Sequence, residues 1–197
     1  MSEAASASPP SQTAKAATFR DGAFVIANPW DAGSARLLAE LGFEALATSS
    51  GAAAAVRGRK DGQLGRDDAL AHARELVAAT GLPIAGDLEN GFGASPEDVA
   101  ETIRLAAAAG LVGGSIEDFT GDKAHPFYDL DLAVQRIGAA AAAARALPFA
   151  FTLTARCEHF LRGHADLDAT IARLQAYEAA GADVLFAPAL PLSLIHI

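Results

Sequence analysis

Four glycines punctuate this chain in the same way, and that repetition constrains its fold more than any other feature. Gly42 in LGFEALA, Gly81 in TGLPIAGD, Gly110 in AGLVGGSIE and Gly181 in AGADVLFA each close an alanine- or leucine-rich stretch and open a short apolar run. Glycine suits the position after a helix's last turn, because a left-handed residue there carries no Cβ penalty. In ALPFAFTLTAR, where no glycine stands, Pro148 stops the helix instead. The repeated unit is strand, loop, helix. Strands are expected at 23–27, 45–48, 83–87, 112–117, 149–155 and 183–187, and helices at 32–41, 67–80, 96–109, 131–146 and 167–180. SPED is a helix start, with Ser95 as cap, Pro96 at the first helical position and Asp98 in the first turn.

Strands alternating with helices over short connections imply an α/β fold, a parallel sheet covered by helices. A closed (β/α)8 TIM-type barrel and an open doubly wound sheet both satisfy that pattern. The first strand is followed by ANPWDAG, without the GxGxxG of an open dinucleotide-binding sheet, which favours the barrel. Eight such units need about 250 residues, whereas this chain of 197 holds five units and a sixth strand. The expectation is a barrel domain over 20–190 with about two β/α units missing, leaving unpaired strand edges that invite aggregation. The Ala-, Ser- and Pro-rich residues 1–19 read as a disordered leader, and PLSLIHI, 191–197, as a truncated or non-native tail.

Composition narrows the function. A hydrophobic content of 51% and a mean hydropathy of +0.22 suit a globule with a sizeable core. A net charge of −9, with only 15 scattered Lys and Arg, argues against nucleic acid or an anionic membrane surface as partner. No apolar run has the length of a membrane span, and no secretory signal opens the chain, so a cytoplasmic location is expected. The single Cys157 cannot form an internal disulfide and reads as a small packed residue. His72 and His164 read as surface residues on or beside helices.

In a parallel β/α protein the site lies at the C-terminal ends of the strands. There the chain places Asn28; then Thr48, Ser49, Ser50 and Gly51; then Asp87 and Glu89; then Glu117 and Asp118; then Arg156 with Glu158 beyond. Asp87, Glu89 and Glu117, with Asp61 from the loop after strand two, would put four carboxylates around one mouth, where they repel unless a cation or proton lies between them. Oxygen ligands in this number suit Mg²⁺ or Mn²⁺. Arg156 offers a planar clamp for a substrate carboxylate, or a partner for Glu158 or Glu117. The turn TSSGA presents the backbone N–H groups of an anion-holding nest. The connection 118–129, DFTGDKAHPFYD, has the composition of a mobile lid in which Lys123 or His125 supplies an acid or an anion contact.

ANPWDAGSARLLAELGFEALATSSGA, KDG, GDLENGFG, SIED and TAR follow one another at successive strand ends. In that order they resemble the isocitrate lyase and phosphoenolpyruvate mutase superfamily, over 24–188. The resemblance implies a Mg²⁺-binding (β/α)8 barrel, a homotetramer with an end helix swapped between subunits, and a small 2-oxo or dicarboxylic acid as substrate. It implies that Asp87 is the metal's carboxylate, that Asp61, Glu89 and Glu117 act on the metal through water, that Ser49, Ser50 and Gly51 bind a substrate carboxylate, and that Arg156 clamps the substrate. Isocitrate and methylisocitrate lyases carry a KKCGH-like motif in the loop after strand four, and its cysteine serves as acid or base. GDKAHPFYD has none, which points to a branch like oxaloacetate decarboxylase or carboxyphosphonoenolpyruvate mutase. The expected reaction cleaves a carbon–carbon bond beside an oxo group; carbon–phosphorus chemistry and a non-catalytic oxo-acid-binding fragment are the alternatives.

Overall fold

Each major helix begins where the sequence supplies a cap or an exposed turn. The structure, a computed structural model, describes residues 11–17 and 24–191. Helix α2 (Ala32–Glu40) starts at Asp31, whose carboxylate accepts the Ser34 N–H while the Ser34 hydroxyl reaches back to the Asp31 N–H. Helix α5 (Pro96–Ala108) starts with the same reciprocal pair, Ser95 with Asp98. Helices α4 (Arg66–Ala79), α6 (Leu130–Arg145) and α7 (Leu167–Ala179) complete the expected set, each within a residue or so of its sequence bounds.

Three of the four punctuating glycines work as the sequence implies: Gly42, Gly110 and Gly181 adopt φ of 89°, 96° and 109°. Gly81 does not. Helix α4 ends instead at Thr80, which turns to extended backbone with φ −139°, and its hydroxyl accepts the Leu82 N–H. Two further helices were not expected. Helix α3 (Ser50–Ala55) occupies the turn after strand two and the alanine run behind it. Helix α1 (Gln12–Ala17) lies inside the span read as a leader, and the Gln12 side chain donates to the carbonyls of Ala107 and Leu111. The rest of that leader, the first residue of the first expected strand and 192–197 of the tail lie outside the described residues.

The strands are β1 (Ile26–Ala27), β2 (Ala45–Ala47), β3 (Ile84–Asp87), β4 (Gly113–Glu117), β5 (Thr152–Arg156) and β6 (Val184–Phe186), all parallel and neighbours in chain order. The sheet curls, because Ile26, Ala47, Ala85, Ser115, Thr154 and Phe186, one from each strand, line the same cleft. This curled six-stranded sheet has the topology of a TIM-type barrel.

Side chains alternate between the two faces of every strand. Leu46, Ile84, Ile116, Leu153 and Ala155 point outward and form the core with Leu70, Leu76, Ile103, Ala106, Ile137 and Ala140 from the helices. The inner face carries small and polar groups on β2 to β5 and apolar ones, Ile26, Val184 and Phe186, on the two edge strands. The two outermost strands are apolar and open, with Val25 beside β1 72% exposed and Phe186 on β6 44% exposed.

Candidate functional site

The concave face holds a cleft of about 650 Å³ whose lining includes Asn28, Thr48, Ser49, Asp87, Ser115, Thr154 and Arg156. Asp87, the last residue of β3, is anchored from three directions. Its N–H donates to the Thr48 hydroxyl at 2.8 Å, one carboxylate oxygen accepts the Ser50 N–H at 2.9 Å, and the other accepts the Glu89 N–H at 3.3 Å. Ser49 caps α3 by accepting the Ala52 N–H. The expected turn is therefore the first turn of a short helix, and its Ser50 N–H already holds the Asp87 carboxylate. Asp61 stands beside Gly51: a Cβ on that glycine would lie 3.7 Å from the Asp61 carboxyl carbon.

The loop after β3 is built for close approach. Glu89 and Phe92 take left-handed φ of 48° and 57°. A Cβ on Gly93 would fall 2.3 Å from the Asp98 side chain, so only glycine lets this loop pass the α5 cap. Arg136, buried on α6 and stacked over Tyr128, donates to the carbonyls of Asn90, Gly93 and Ala94. Thr102 adds a bond to the Gly91 carbonyl at 2.7 Å. Neither Arg136 nor Thr102 is suggested by the sequence, since helix residues more than ten positions away carry no local signal.

Two acids of this mouth are held protonated more strongly than usual. Burial pushes Glu89 up to about 7, and the Asp87 and Asp61 carboxylates add to the effect. Burial likewise pushes Glu117 up to about 8; Arg156 opposes the shift, while Glu158 and Asp87 reinforce it. The Glu117 N–H donates to the Glu89 carbonyl at 2.9 Å, which ties the two acidic strand ends together. Arg156 sits 17% exposed at the end of β5, with its Nε 2.5 Å from a Glu158 oxygen and 3.5 Å from a Glu117 oxygen. Arg162 approaches the same two acids from outside, at 2.8 Å from Glu158 and 3.9 Å from Glu117.

Not every expected group converges. Lys123 and His125 are exposed on a loop pinned by the Phe119–Phe127 bridge and by the Thr120 hydroxyl donating to the His125 carbonyl at 2.6 Å. His125 pairs with Asp122 at 3.2 Å, and neither Lys123 nor His125 lines the cleft. Asp118 was expected at the mouth, but it faces the other way. It accepts from the Tyr177 hydroxyl at 2.8 Å, from Arg173 at 3.3 Å and from the Glu158 N–H at 2.9 Å, under α7. The reason is the period of the strand: Glu117 points in, so Asp118 must point out. His72 is buried, not at the surface, with its Nε2 2.8 Å from the Trp30 carbonyl. His164 is exposed, as expected.

Cys157 is packed in the core, and its thiol is pushed up to about 12 by burial and by Asp118. With Asp118 and His159 it forms a trio whose ligand atoms lie within 4.8 Å of one another. A cation there would meet the Arg173 guanidinium already seated on Asp118, so the trio is poorly suited to a metal. The acids of the mouth are the better set. Burial is the main reason Glu89 and Glu117 are raised, with neighbouring carboxylates adding to it, and a bound cation would oppose both effects.

The sequence matches the profile of the phosphoenolpyruvate phosphomutase family over residues 16–193. A Burkholderia cenocepacia J2315 protein provisionally designated a lyase/mutase is 60% identical, with a TM-score of 0.90 over 91% of this chain and 67% of that one. The 2-methylisocitrate lyase of Salmonella typhimurium is 33% identical over 92% of this chain and 63% of its own length. A phosphonopyruvate hydrolase solved with oxalate and Mg²⁺ is 25% identical, with a TM-score of 0.82 over 94% of this chain and 66% of that one. The chain spans between 52% and 63% of the length of the curated relatives of which it matches most.

Proposed function

This chain belongs to the isocitrate lyase and phosphoenolpyruvate mutase superfamily of lyases and mutases, and from that premise we propose a Mg²⁺-dependent lyase or decarboxylase that cleaves a carbon–carbon bond beside the oxo group of a small 2-oxo or dicarboxylic acid. The observation that carries the reading is the convergence of Asp87 and Arg156 on the cleft at one end of a curled parallel sheet, with Glu89 and Glu117 close behind them and pushed toward protonation.

Asp87, Asp61, Glu89 and Glu117 would hold the cation, Asp87 directly and the others through water. When bound, it supplies positive charge beside the oxygen on which negative charge develops as the bond breaks. The chain's own residues do the rest. Arg156, two strands along the sheet from Asp87, presents a guanidinium to a substrate carboxylate. Ser49, Ser50 and Gly51 bring the first turn of α3 to the other end of the substrate. Glu117, buried and reluctant to ionise, can hold a proton at the mouth. Fixed charges of this kind, placed where charge develops, commonly accelerate a reaction more than any other single effect. In the long β4–α6 loop, Lys123 and His125 would reach the cleft only by closing over it.

Carbon–phosphorus chemistry on a phosphonopyruvate-like acid is the second reading. The lack of a cysteine in the 118–129 loop suits it as well as it suits an oxaloacetate decarboxylase-like reaction, because that loop offers no thiol acid or base for isocitrate lyase chemistry. Oxaloacetate and 2-methyl-branched malates, incubated with the chain and Mg²⁺, should release pyruvate, glyoxylate or oxalate. Turnover of phosphonopyruvate alone, seen by phosphorus NMR, would replace the first reading by the second. Mg²⁺-dependent binding without any turnover would reduce the chain to an oxo-acid-binding module.

A further inference from the structure

Glu158 is the most deeply buried acid near the mouth, with a side chain at 0% exposure, yet it does not line the cleft. Its two oxygens are divided between two arginines: one accepts from Arg156 Nε at 2.5 Å, the other from Arg162 Nε at 2.8 Å. The backbone N–H of Glu158 is itself fixed, donating to Asp118 at 2.9 Å. Arg162 is stacked on the Phe119 ring at 3.7 Å, and it too is absent from the cleft lining. Glu158 thus sits between Arg156, which lines the cleft, and Arg162, which does not, and Glu117 lies near both arginines, at 3.5 and 3.9 Å.

We propose that Glu158 and Arg162 are positioning residues for Arg156: Glu158 fixes the guanidinium through Nε, and Arg162 supplies the second positive charge that keeps Glu158 from neutralising it. The inference rests on the reading of Arg156 as the substrate's carboxylate clamp. Geometry gives the first half. A carboxylate on Nε leaves both terminal nitrogens of Arg156, the fork that grips a planar anion, without a hydrogen-bond partner among the described residues.

Charge gives the second half. Two acids, Glu158 and Glu117, lie within ion-pair distance of Arg156 and would outnumber it alone; Arg162, 2.8 Å from Glu158 and 3.9 Å from Glu117, brings a second positive charge to the same pair of acids. With Arg162 drawing on both acids, Arg156, the arginine that lines the cleft, is left freer to attract an anionic substrate. Arg162 in turn leans on Phe119, the first residue after Asp118 in the long β4–α6 loop. Movement of that loop can therefore be felt at the clamp without touching substrate.

The test uses the full chain and begins without ligand. In the ¹⁵N–¹H spectrum of the arginine side chains, the Arg156 Nε–H should be shifted downfield and slow to exchange in the unmodified chain and in Arg162→Lys. In Glu158→Gln it should return toward the position of a free arginine. An Arg156 signal indifferent to Glu158→Gln would overturn the positioning role whatever the chain binds. The second arm measures oxalate affinity in saturating Mg²⁺. Arg162→Met should weaken it on the order of tenfold to 100-fold, the scale of losing a well-placed orienting group, and Arg162→Lys should recover most of it. In turnover the loss should fall on KM and not on kcat. Equal oxalate affinity in Arg162→Met and the unmodified chain would overturn the charge-balancing role. An unmodified chain that binds no oxalate, yet shows the Glu158-dependent signal, would leave the positioning intact, overturn the charge-balancing role, and refute the clamp reading of Arg156. If Glu158→Gln does not fold, Glu158→Asp, which keeps the charge but shortens the reach to Arg156 Nε, should move the same signal part of the way, and an unmoved signal would overturn the positioning role.

Discussion

Glu117 and Asp118 are neighbours in sequence, both buried, and each is paired with arginine, but they belong to opposite sides of the sheet. Asp118 faces α7, where the Tyr177 hydroxyl, the Arg173 guanidinium and the Glu158 N–H occupy its oxygens. Glu117 is on the inner side of the sheet, where burial outweighs the nearby Arg156 and Arg162 and, with Glu158 and Asp87, holds its proton up to about pH 8. The oxygens of the outer acid are filled by short hydrogen bonds, whereas those of the inner one meet only the longer Arg156 and Arg162 contacts, at 3.5 and 3.9 Å. A burial value does not separate the two, since Glu117 is 8% exposed and Asp118 3%. What separates them is whether the surrounding donors close the hydrogen-bond count, the difference between an acid that holds a fold together and one placed for a ligand.

Mutation should break the comparison along that line. Asp118→Ala strips a partner from Arg173, Tyr177 and the Glu158 backbone at once and leaves a buried guanidinium uncompensated. It should cost about 3–5 kcal/mol in urea unfolding, and a loss near zero would mean that the outer network is ornamental. Glu117→Gln should leave stability in the absence of metal unchanged or slightly raised. It should still weaken the Mg²⁺ dependence of oxalate binding by about 10- to 100-fold, as for other groups that support a metal; unaltered Mg²⁺ dependence would move the cation seat away from β4.

Acidity sharpens the same contrast. A carboxyl whose folded pKa lies above its unfolded value binds its proton more tightly when folded, so its contribution is intact at low pH and declines as pH rises. For Glu89, pushed to about 7, and Glu117, pushed to about 8, both from 4.5, the metal-free chain should lose stability as pH climbs from about 4.5 to about 8 and level off above. Saturating Mg²⁺ should flatten that decline, and Glu117→Gln should remove the Glu117 part of it. A melting temperature that rises through this window in the metal-free chain, with the Glu117→Gln profile unchanged, would show that these acids are not under strain. The smallest effect is expected at the exposed loop: His125→Ala should shift stability by no more than about 0.5 kcal/mol and oxalate affinity by less than twofold, checked by unfolding and calorimetry.

Much of this contrast is legible in the sequence and part of it is not. The six strands and five of the helices follow from glycine punctuation and caps, because those signals are local: Asp31 with Ser34, Ser95 with Asp98, Gly110 after α5. Asp87, Glu117 and Arg156 are readable because a parallel strand's C-terminal end is a place the sequence marks. The facing of Asp118 was also available, from the two-residue period, had it been applied one position past Glu117. The short α3 was hidden because SSG reads as a turn and the alanines behind it carry no period. Arg136 and Arg173 were out of reach, because each acts on residues brought near only by the packing of a later helix, such as Arg136 on the carbonyls of Asn90, Gly93 and Ala94. Arg162 stands four residues after Glu158, a spacing the sequence shows, but its tie to Arg156 through that acid does not follow from spacing alone.

The central claim is that the acids at the mouth form the seat of a cation that completes an oxo-acid site. Calorimetric titration of the chain with oxalate, with and without Mg²⁺, tests it most directly, with Asp87→Ala as the control at the strand end. The expected result is binding only when Mg²⁺ is present, lost in Asp87→Ala while its unfolding remains cooperative. Equal oxalate affinity with and without the metal, or Mg²⁺-dependent binding that survives Asp87→Ala, would contradict it.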